Sequence, residues 1–467
     1  MLFNSYEFVF IFLPLALLGA VLSNRIFGKN SAIYLVVLFS LFFYAWWNIL
    51  YLPLLIGTII LNYFIAGVLI RNRQQSRFRL FVLLFGLVCN IALLSYYKYA
   101  GFFARNINYF INADFPVLSL AIPLGISFFT FQQIAYLVDT YRNETARHSF
   151  GEYSLFVSFF PQLIAGPIVC HKDFFYQIRH KRFMQWSNIG FSIGLSFFIV
   201  GLFKKVVIAD RLSVNADILF DPNINHTMLS TFDYWIGVSS YTLQIYFDFS
   251  GYTDMAIGLA RMFGVKLPIN FNSPYKSTSI IDFWRRWHIT LSNFLKRYVY
   301  FSFGGNRKGE MRKYGNLAAT MAIGGLWHGA GFTFILWGLM HGIYLIINNI
   351  WLKQKFRLNV KVAIVVTFFC VFISWVPFRA INMDQTFLIW QGLFFNYSFH
   401  APVLYPSLKI PLLTILIGSV VVFLGINSNS FPLKIYKKRR YAIVLSVMLL
   451  LSIVSMSGIQ EFIYFQF

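Results

Sequence analysis

The sequence predicts an all-α polytopic membrane protein, with about ten to twelve transmembrane helices accompanied by re-entrant and interfacial helices. Three observations carry this. Of 467 residues, 58% are hydrophobic and 12% charged, about half the charge of soluble domains, which carry about 25%. Phe accounts for 56 residues and Trp for 11, an aromatic load that lipid can cover and water cannot. Apolar segments also recur along nearly the whole chain and leave no room for a separate soluble domain. The length would suggest roughly three soluble domains, but residues 1–467 read as a single membrane domain.

The net charge is +23, and its placement matters more than its size. A nucleic-acid binder spreads Lys and Arg over one soluble face. Here they sit in short clusters between apolar spans, as the positive-inside rule requires. The basicity therefore reads as topology and contact with the anionic bilayer surface, with an anionic donor possible at one cluster and no nucleic-acid partner. Cys89, Cys170 and Cys370 are far apart and lack metal-ligand spacing, so no metal is expected.

Candidate spans fall at roughly 8–23, 32–50, 53–70, 80–97, 153–169, 188–203, 234–260, 316–350, 362–378, 410–426 and 441–458. The stretches 234–260 and 316–350 are too long for one crossing each. The first span is not read as a signal peptide, because Met1–Glu7 has no Lys or Arg and ends on Glu7. Arg25 and Lys29 follow it, the next connection carries no charge, and the third holds Arg71, Arg73, Arg77 and Arg79. That alternation puts the N-terminus outside and these basic loops in the cytoplasm. The cluster Lys434, Lys437, Lys438, Arg439 and Arg440 would also be cytoplasmic. Between Ala113 and Val169, Pro116, Pro123, Gly125, Pro161, Gly166 and Pro167 interrupt apolar sequence. Broken or re-entrant backbone at membrane depth must be enclosed by protein or line a water-filled cavity, and a cavity is the expectation here.

Three segments carry chemistry. In Ser279–Tyr300, Ser279 and Asp282 form a capping-box pattern that starts a helix. Ile280, Trp284, Trp287, Leu291, Leu295 and Tyr298 then share one stripe. Arg285, Arg286, Asn293, Lys296 and Arg297 occupy the opposite arc, with His288 at the boundary. This is an interfacial amphipathic helix. It is either an anchor or a site whose arginines bind the phosphates of a donor such as coenzyme A. In Gly324–Gly342, His328 and His341 sit in apolar surroundings, and Gly329, Ala330 and Gly331 leave room for close approach beside His328. Neutral imidazole can take a proton from a hydroxyl, and desolvation favours that form. The competing interpretation is a structural histidine bonded between helices. In Tyr246–Gly264, Asp248 and Asp254 need partners, and Arg261 and Lys266 are the nearby candidates for an ion pair. There is no G-x-S-x-G elbow, P-loop, H-E-x-x-H or dinucleotide fingerprint.

At these residues the chain resembles the membrane-bound O-acyltransferase family, in its bacterial branch typified by the alginate O-acetylation subunit. The resemblance rests on seven motifs in family order: Phe43–Trp47, Ile122–Gln132, Phe160–Ile168, Tyr246–Ala260, Phe283–Ser292, Gly304–Arg307 and Gly324–Ala330. They lie within residues 1–350, and residues 351–467 read as further C-terminal transmembrane helices. Cys170 stands where relatives often carry Arg, and Ser302–Phe303 replaces a common Pro–Leu.

The resemblance implies helices around a central tunnel and O-acetyl transfer, with His328 as the catalytic histidine and His288 in support. It also sets His341 along the same path, and Arg285, Arg286 and Arg307 are the donor-binding candidates. It implies no permanently bound cofactor, and acetyl-CoA or another acyl thioester as donor substrate. The expected acceptor is a hydroxyl of an exported, alginate-like polysaccharide or of peptidoglycan. It also implies a periplasmic serine-esterase-like partner and a bacterial inner-membrane location. From the residues alone, a transporter of an intact activated donor and a membrane scaffold stay open beside the enzyme.

Overall fold

The computed structural model describes the chain except residues 75, 118–119, 181–182, 355–356, 397, 431–438, 457–460 and 464–467, and describes backbone alone at 227, 439 and 440. Every regular element among the described residues is a helix. Six helices are long and apolar enough to cross a membrane: Phe8–Phe27, Ile49–Arg71, Arg77–Lys98, Asn188–Phe220, Phe332–Trp351 and Val360–Arg379. Shorter apolar helices occupy Lys29–Ala45, Lys409–Phe423 and Tyr441–Ser455. Apolar side chains face outward as well as inward. On the first helix Ile11, Leu15, Leu18, Leu22 and Ile26 are exposed while Phe8, Phe12 and Leu17 are buried. A soluble protein does not tolerate such a surface; a lipid-facing one requires it.

The two overlong stretches turn out differently, one against expectation and one as expected. The stretch 234–260 does not divide: it lies in one uninterrupted helix, Thr231–Met262, of 32 residues. At 1.5 Å per residue it is about 48 Å long, more than a hydrocarbon core of about 30 Å. The stretch 316–350 does divide, into Glu310–His328 and Phe332–Trp351. Lys434, Lys437 and Lys438 lie outside the described residues, and Arg439 opens the helix Arg439–Ser455.

The helices group into two compact units, Met1–Phe198 with Thr253–Pro268, and Ile199–Tyr252 with Ile269–Phe467. In the first, Leu52–Arg71 and Arg77–Lys98 are joined by an asparagine pair: Asn62 donates to Asn90 at 3.2 Å and Asn90 donates back at 2.7 Å. Reciprocal amide bonds of this kind hold apolar helices together where burial supplies no driving force. The expected break appears between Phe150–Ser158 and Phe160–Leu163. Protein encloses it, with Phe159, Phe160 and Gln162 all buried. Gln132 and Gln162 both donate to the Phe156 carbonyl, at 2.8 and 2.6 Å, and Phe160 N–H donates to Ser40 at 3.1 Å. Phe160 packs edge-on against Phe12 and Phe263 at 5.3 and 5.5 Å. A short interruption leaves few polar groups, and Gln132, Gln162 and Ser40 satisfy the Phe156 carbonyl and the Phe160 N–H.

Outside the six spans, Ser149 and Glu152 form a reciprocal capping box at the start of Phe150–Ser158. Arg179 adds a two-pronged pair to Glu152 at 2.8 and 2.9 Å. That guanidinium holds the Glu152 carboxyl down at about 2, from an ordinary 4.5.

In the second unit, Glu310–His328 and Phe332–Trp351 form a hairpin whose backbones touch through glycine. A Cβ on Gly338 would lie 2.3 Å from the Met321 carbonyl oxygen, and one on Gly325 would lie 2.1 Å from that of Phe334. Asp248 pairs with Lys205 at 2.7 Å, and Lys205 also reaches Asp210 at 2.8 Å. This corrects the expectation of Arg261 or Lys266. The true partner is 43 positions away in sequence, beyond any reading based on spacing along one helix. The second Asp248 oxygen accepts from Ile463 N–H at 3.0 Å, so the carboxylate also anchors the C-terminal segment.

Two outcomes follow. Gly338→Leu forces the hairpin apart against backbone, not a yielding side chain, and costs about 3 kcal/mol; Gly57→Ala, with open space at its Cβ, does not destabilise. Thermal unfolding in detergent separates the two. For Glu152, the pair contributes stability above the ordinary carboxylate range and loses it as pH falls from 4.5 towards 2. Wild type therefore loses melting temperature over that window more steeply than Glu152→Gln, which starts lower at neutral pH.

Candidate active site

His328 is the last residue of the helix Glu310–His328, and Gly329 leaves it in extended conformation. The residue is 3% exposed. Its ring lies 5.2 Å from Trp337, 5.1 Å from Phe378 and 6.5 Å from His288, between centroids. The small residues after it were expected to let a substrate or another backbone approach closely. At Gly329 the space is taken by Phe334, whose ring would lie 2.1 Å from an added Cβ. The glycine thus serves the packing of the turn.

His288 sits where the predicted single helix 279–300 fails to be one helix. Ser279 does start it, accepting from Asp282 N–H at 3.1 Å. The chain is helical over Ile280–Trp284, turns through His288 at φ 41°, and resumes at Ile289–Phe294 and Leu295–Tyr300. The apolar stripe survives the break up to its last member: Ile280, Trp284, Trp287, Leu291 and Leu295 are buried, and Tyr298 is half-buried. The left-handed backbone costs a non-glycine residue about 1–2 kcal/mol and persists only where surroundings fix it. Asn270, unremarked in the sequence, supplies that fixing. Its main-chain carbonyl accepts Ile289 N–H at 3.0 Å. Its side-chain oxygen accepts Thr290 N–H at 3.2 Å and the Thr290 hydroxyl at 3.0 Å. Asn272 N–H also donates to the Arg286 carbonyl at 2.9 Å. The extended segment thus caps the restarted helix from outside. Its one sequence signal is the cluster Asn270, Asn272, Ser273 and Pro274 following the long apolar span. Burial pushes the His288 imidazole down to about 3, so it stands neutral.

His341 is fully buried, with Nε2 3.0 Å from the Ser374 hydroxyl. It lies 5.2 Å from Trp284 and 4.9 Å from Trp337. The aromatic series Trp284, Trp337, His328 is continuous, with Trp284 and Trp337 5.8 Å apart.

Trp284 also lines a cavity of about 490 Å³, together with Arg285, Asn293, Lys296, Lys313 and Met321. Among the described residues lining it, three are cationic and none is a carboxylate, so an anionic ligand is favoured there. Of the arginines singled out, Arg285 faces this cavity. Arg286 pairs with Asp282 at 2.9 Å, and Arg307 is exposed beside Asn306, which does line the cavity. Lys296 and Lys313 join Arg285 there, although only Lys296 stood out on the predicted helix face. Among the described residues no three His, Cys, Asp or Glu side chains converge as metal ligands.

The chain is similar to several known proteins. The chain is 45% identical to a peptidoglycan O-acetyltransferase of Helicobacter pylori, over 84% of this chain and 80% of that one. It is 41% identical to a probable alginate O-acetylase AlgI of Pseudomonas aeruginosa, over 84% of this chain and 75% of that one. A teichoic acid D-alanyltransferase of Bacillus subtilis is 30% identical over 52% of this chain and 65% of its own length. The sequence profile of the membrane-bound O-acyltransferase family matches residues 9–381, past the 350 to which the motifs extend. The profile match over residues 9–381, with relatives 45% and 41% identical over 84% of the chain, makes this chain a member of the membrane-bound O-acyltransferase family and an acyltransferase enzyme.

Proposed function

We propose that the protein is a multi-pass O-acetyltransferase of the bacterial cytoplasmic membrane. It takes an acetyl group from a cytoplasmic thioester such as acetyl-CoA and passes it towards hydroxyls of an exported, alginate-like polysaccharide. The observation that carries this reading is the buried His328–His288 pair, one aromatic layer beyond a cavity lined by Arg285, Lys296 and Lys313. The cations suit the phosphates of the donor, and the aromatic layer suits a reaction from which water must be kept. His328 takes the proton of the acceptor hydroxyl as that oxygen attacks the thioester carbonyl. The carbon–oxygen bond forms, the carbon–sulfur bond breaks, and the proton passes to the leaving thiolate. His288 supports this step. A periplasmic serine-esterase-like partner completes delivery to the polysaccharide. Peptidoglycan is the second reading of the acceptor, favoured by the 45% relative named for it.

In proteoliposomes loaded with acetyl-CoA and supplied with acceptor, wild type releases free coenzyme A. His328→Ala lowers this rate by about 10²–10⁴-fold while remaining folded and inserted. Undiminished release in that variant, or intact donor appearing outside, overturns the reading, the latter in favour of transport. Joint substitution of Arg285 and Lys296 by Ala raises the donor KM by about tenfold with kcat little changed. Acetyl counts on alginate and peptidoglycan acceptors separate the two substrates.

A further inference from the structure

The contacts of Asn270 settle a chemical question about His288. A carboxamide can be turned either way, and its two ends differ in donating and accepting. Here the choice is forced. Thr290 N–H can only donate, and it meets the side-chain atom of Asn270 at 3.2 Å, so that atom is the oxygen. The same oxygen lies 3.1 Å from His288 Nδ1. A carboxamide oxygen only accepts, so Nδ1 must carry the ring proton. In a neutral imidazole the other nitrogen is then the acceptor. Asn270 is fully buried, and its main-chain carbonyl is held by Ile289 N–H at 3.0 Å, so the oxygen that reads the ring is anchored at its own backbone.

The ring itself is clamped. Phe249 packs edge-on against it at 4.8 Å and Trp327 at 6.1 Å, and the titratable His328 faces it at 6.5 Å. The left-handed φ of 41° at His288 belongs to the same device. In an ordinary helix start the N-cap side chain turns back to serve the first N–H groups. His288 holds the N-cap position without using its side chain for capping. Asn270 does the capping, which releases the imidazole for another task.

We infer that Asn270 is a positioning residue for the reaction: its side-chain oxygen fixes His288 as the Nδ1–H tautomer, so that His288 takes part as an acceptor at Nε2 and not as a donor. This deepens, and rests on, the acyl-transfer reading given above.

The test uses the full-length protein in detergent with ¹⁵N-labelled histidine, the His288 signals being identified by their loss in His288→Gln. Wild type is expected to show a protonated Nδ1 and a bare Nε2 at His288. The opposite tautomer overturns the inference. This measurement needs no substrate, so it stands whether or not His328→Ala abolishes transfer. Asn270→Asp keeps the shape and every accepting contact but sets a negative charge against Nδ1–H, which favours imidazolium. The acid limb of the kcat–pH profile is expected to move upward by about one unit or more. A purely structural asparagine would leave that limb in place, and an unmoved limb in a folded Asn270→Asp overturns the inference. Asn270→Leu, which cannot accept, is expected to lower kcat by about a hundredfold with the donor KM within twofold; restored wild-type kcat there overturns it as well.

Discussion

A broken helix frees backbone N–H and carbonyl groups, and inside a membrane protein water cannot satisfy them. Each one left alone costs several kcal/mol in hydrocarbon. Both breaks described here meet that constraint with side chains from elsewhere in the fold. Gln132, Gln162 and Ser40 close the break before Phe160–Leu163. Asn270 closes the one at His288, accepting from Ile289 and Thr290. The second solution has a chemical consequence that the first lacks, because the satisfying oxygen also contacts an imidazole. Polar satisfaction and tautomer selection are there one interaction.

The glycine hairpin sets the other boundary of the site. Gly325 and Gly338 bring two backbones together more closely than any Cβ allows, which fixes where Glu310–His328 ends relative to Phe332–Trp351. Trp337 and His341 lie one turn apart on the second helix, so they arrive together beside His328 and Trp284. Small residues at the crossing and large aromatic ones just beyond it are two parts of one packing solution. Close backbones leave a short gap at the hairpin, and the rings fill the wider space past it.

What could be read from the sequence divides along physical lines. Apolar spans and the Ser279 cap are local, and a window of one or two helical turns contains everything that determines them. The stripe Ile280–Leu295 came out buried even though its helix is broken, because burial follows the side-chain direction of each short piece. The break itself was hidden, since it depends on Asn270, 18 positions upstream. Lys205 and Asp248 were mismatched for the same reason at greater separation. The arginines illustrate a subtler limit. Arg285 and Arg286 are neighbours in sequence with the same charge, yet one lines the cavity and the other is held by Asp282. The i,i+4 acid that distinguishes them was visible, and it marks Arg286 as the one with a partner already.

The low exposure of His328 fits the proposed chemistry. A thioester meeting a hydroxyl is also exposed to attack by water, and the enzyme must favour the alcohol over a far more abundant competitor. A site sealed by Trp284, Trp337 and Phe378 keeps bulk water from the ring. Burial also keeps the His288 imidazole neutral, the state in which it can accept a proton. The same seal places the cationic residues outside the aromatic layer and the histidines inside it. The phosphates of a donor would then stay with Arg285, Lys296 and Lys313 in the wetter cavity, and only its thioester end would need to pass the rings. Charge is held where it is cheap to solvate, and the reacting carbonyl is delivered where water is scarce. On the proposed reading, that separation would let one chain hold a highly charged donor and still run a desolvated transfer.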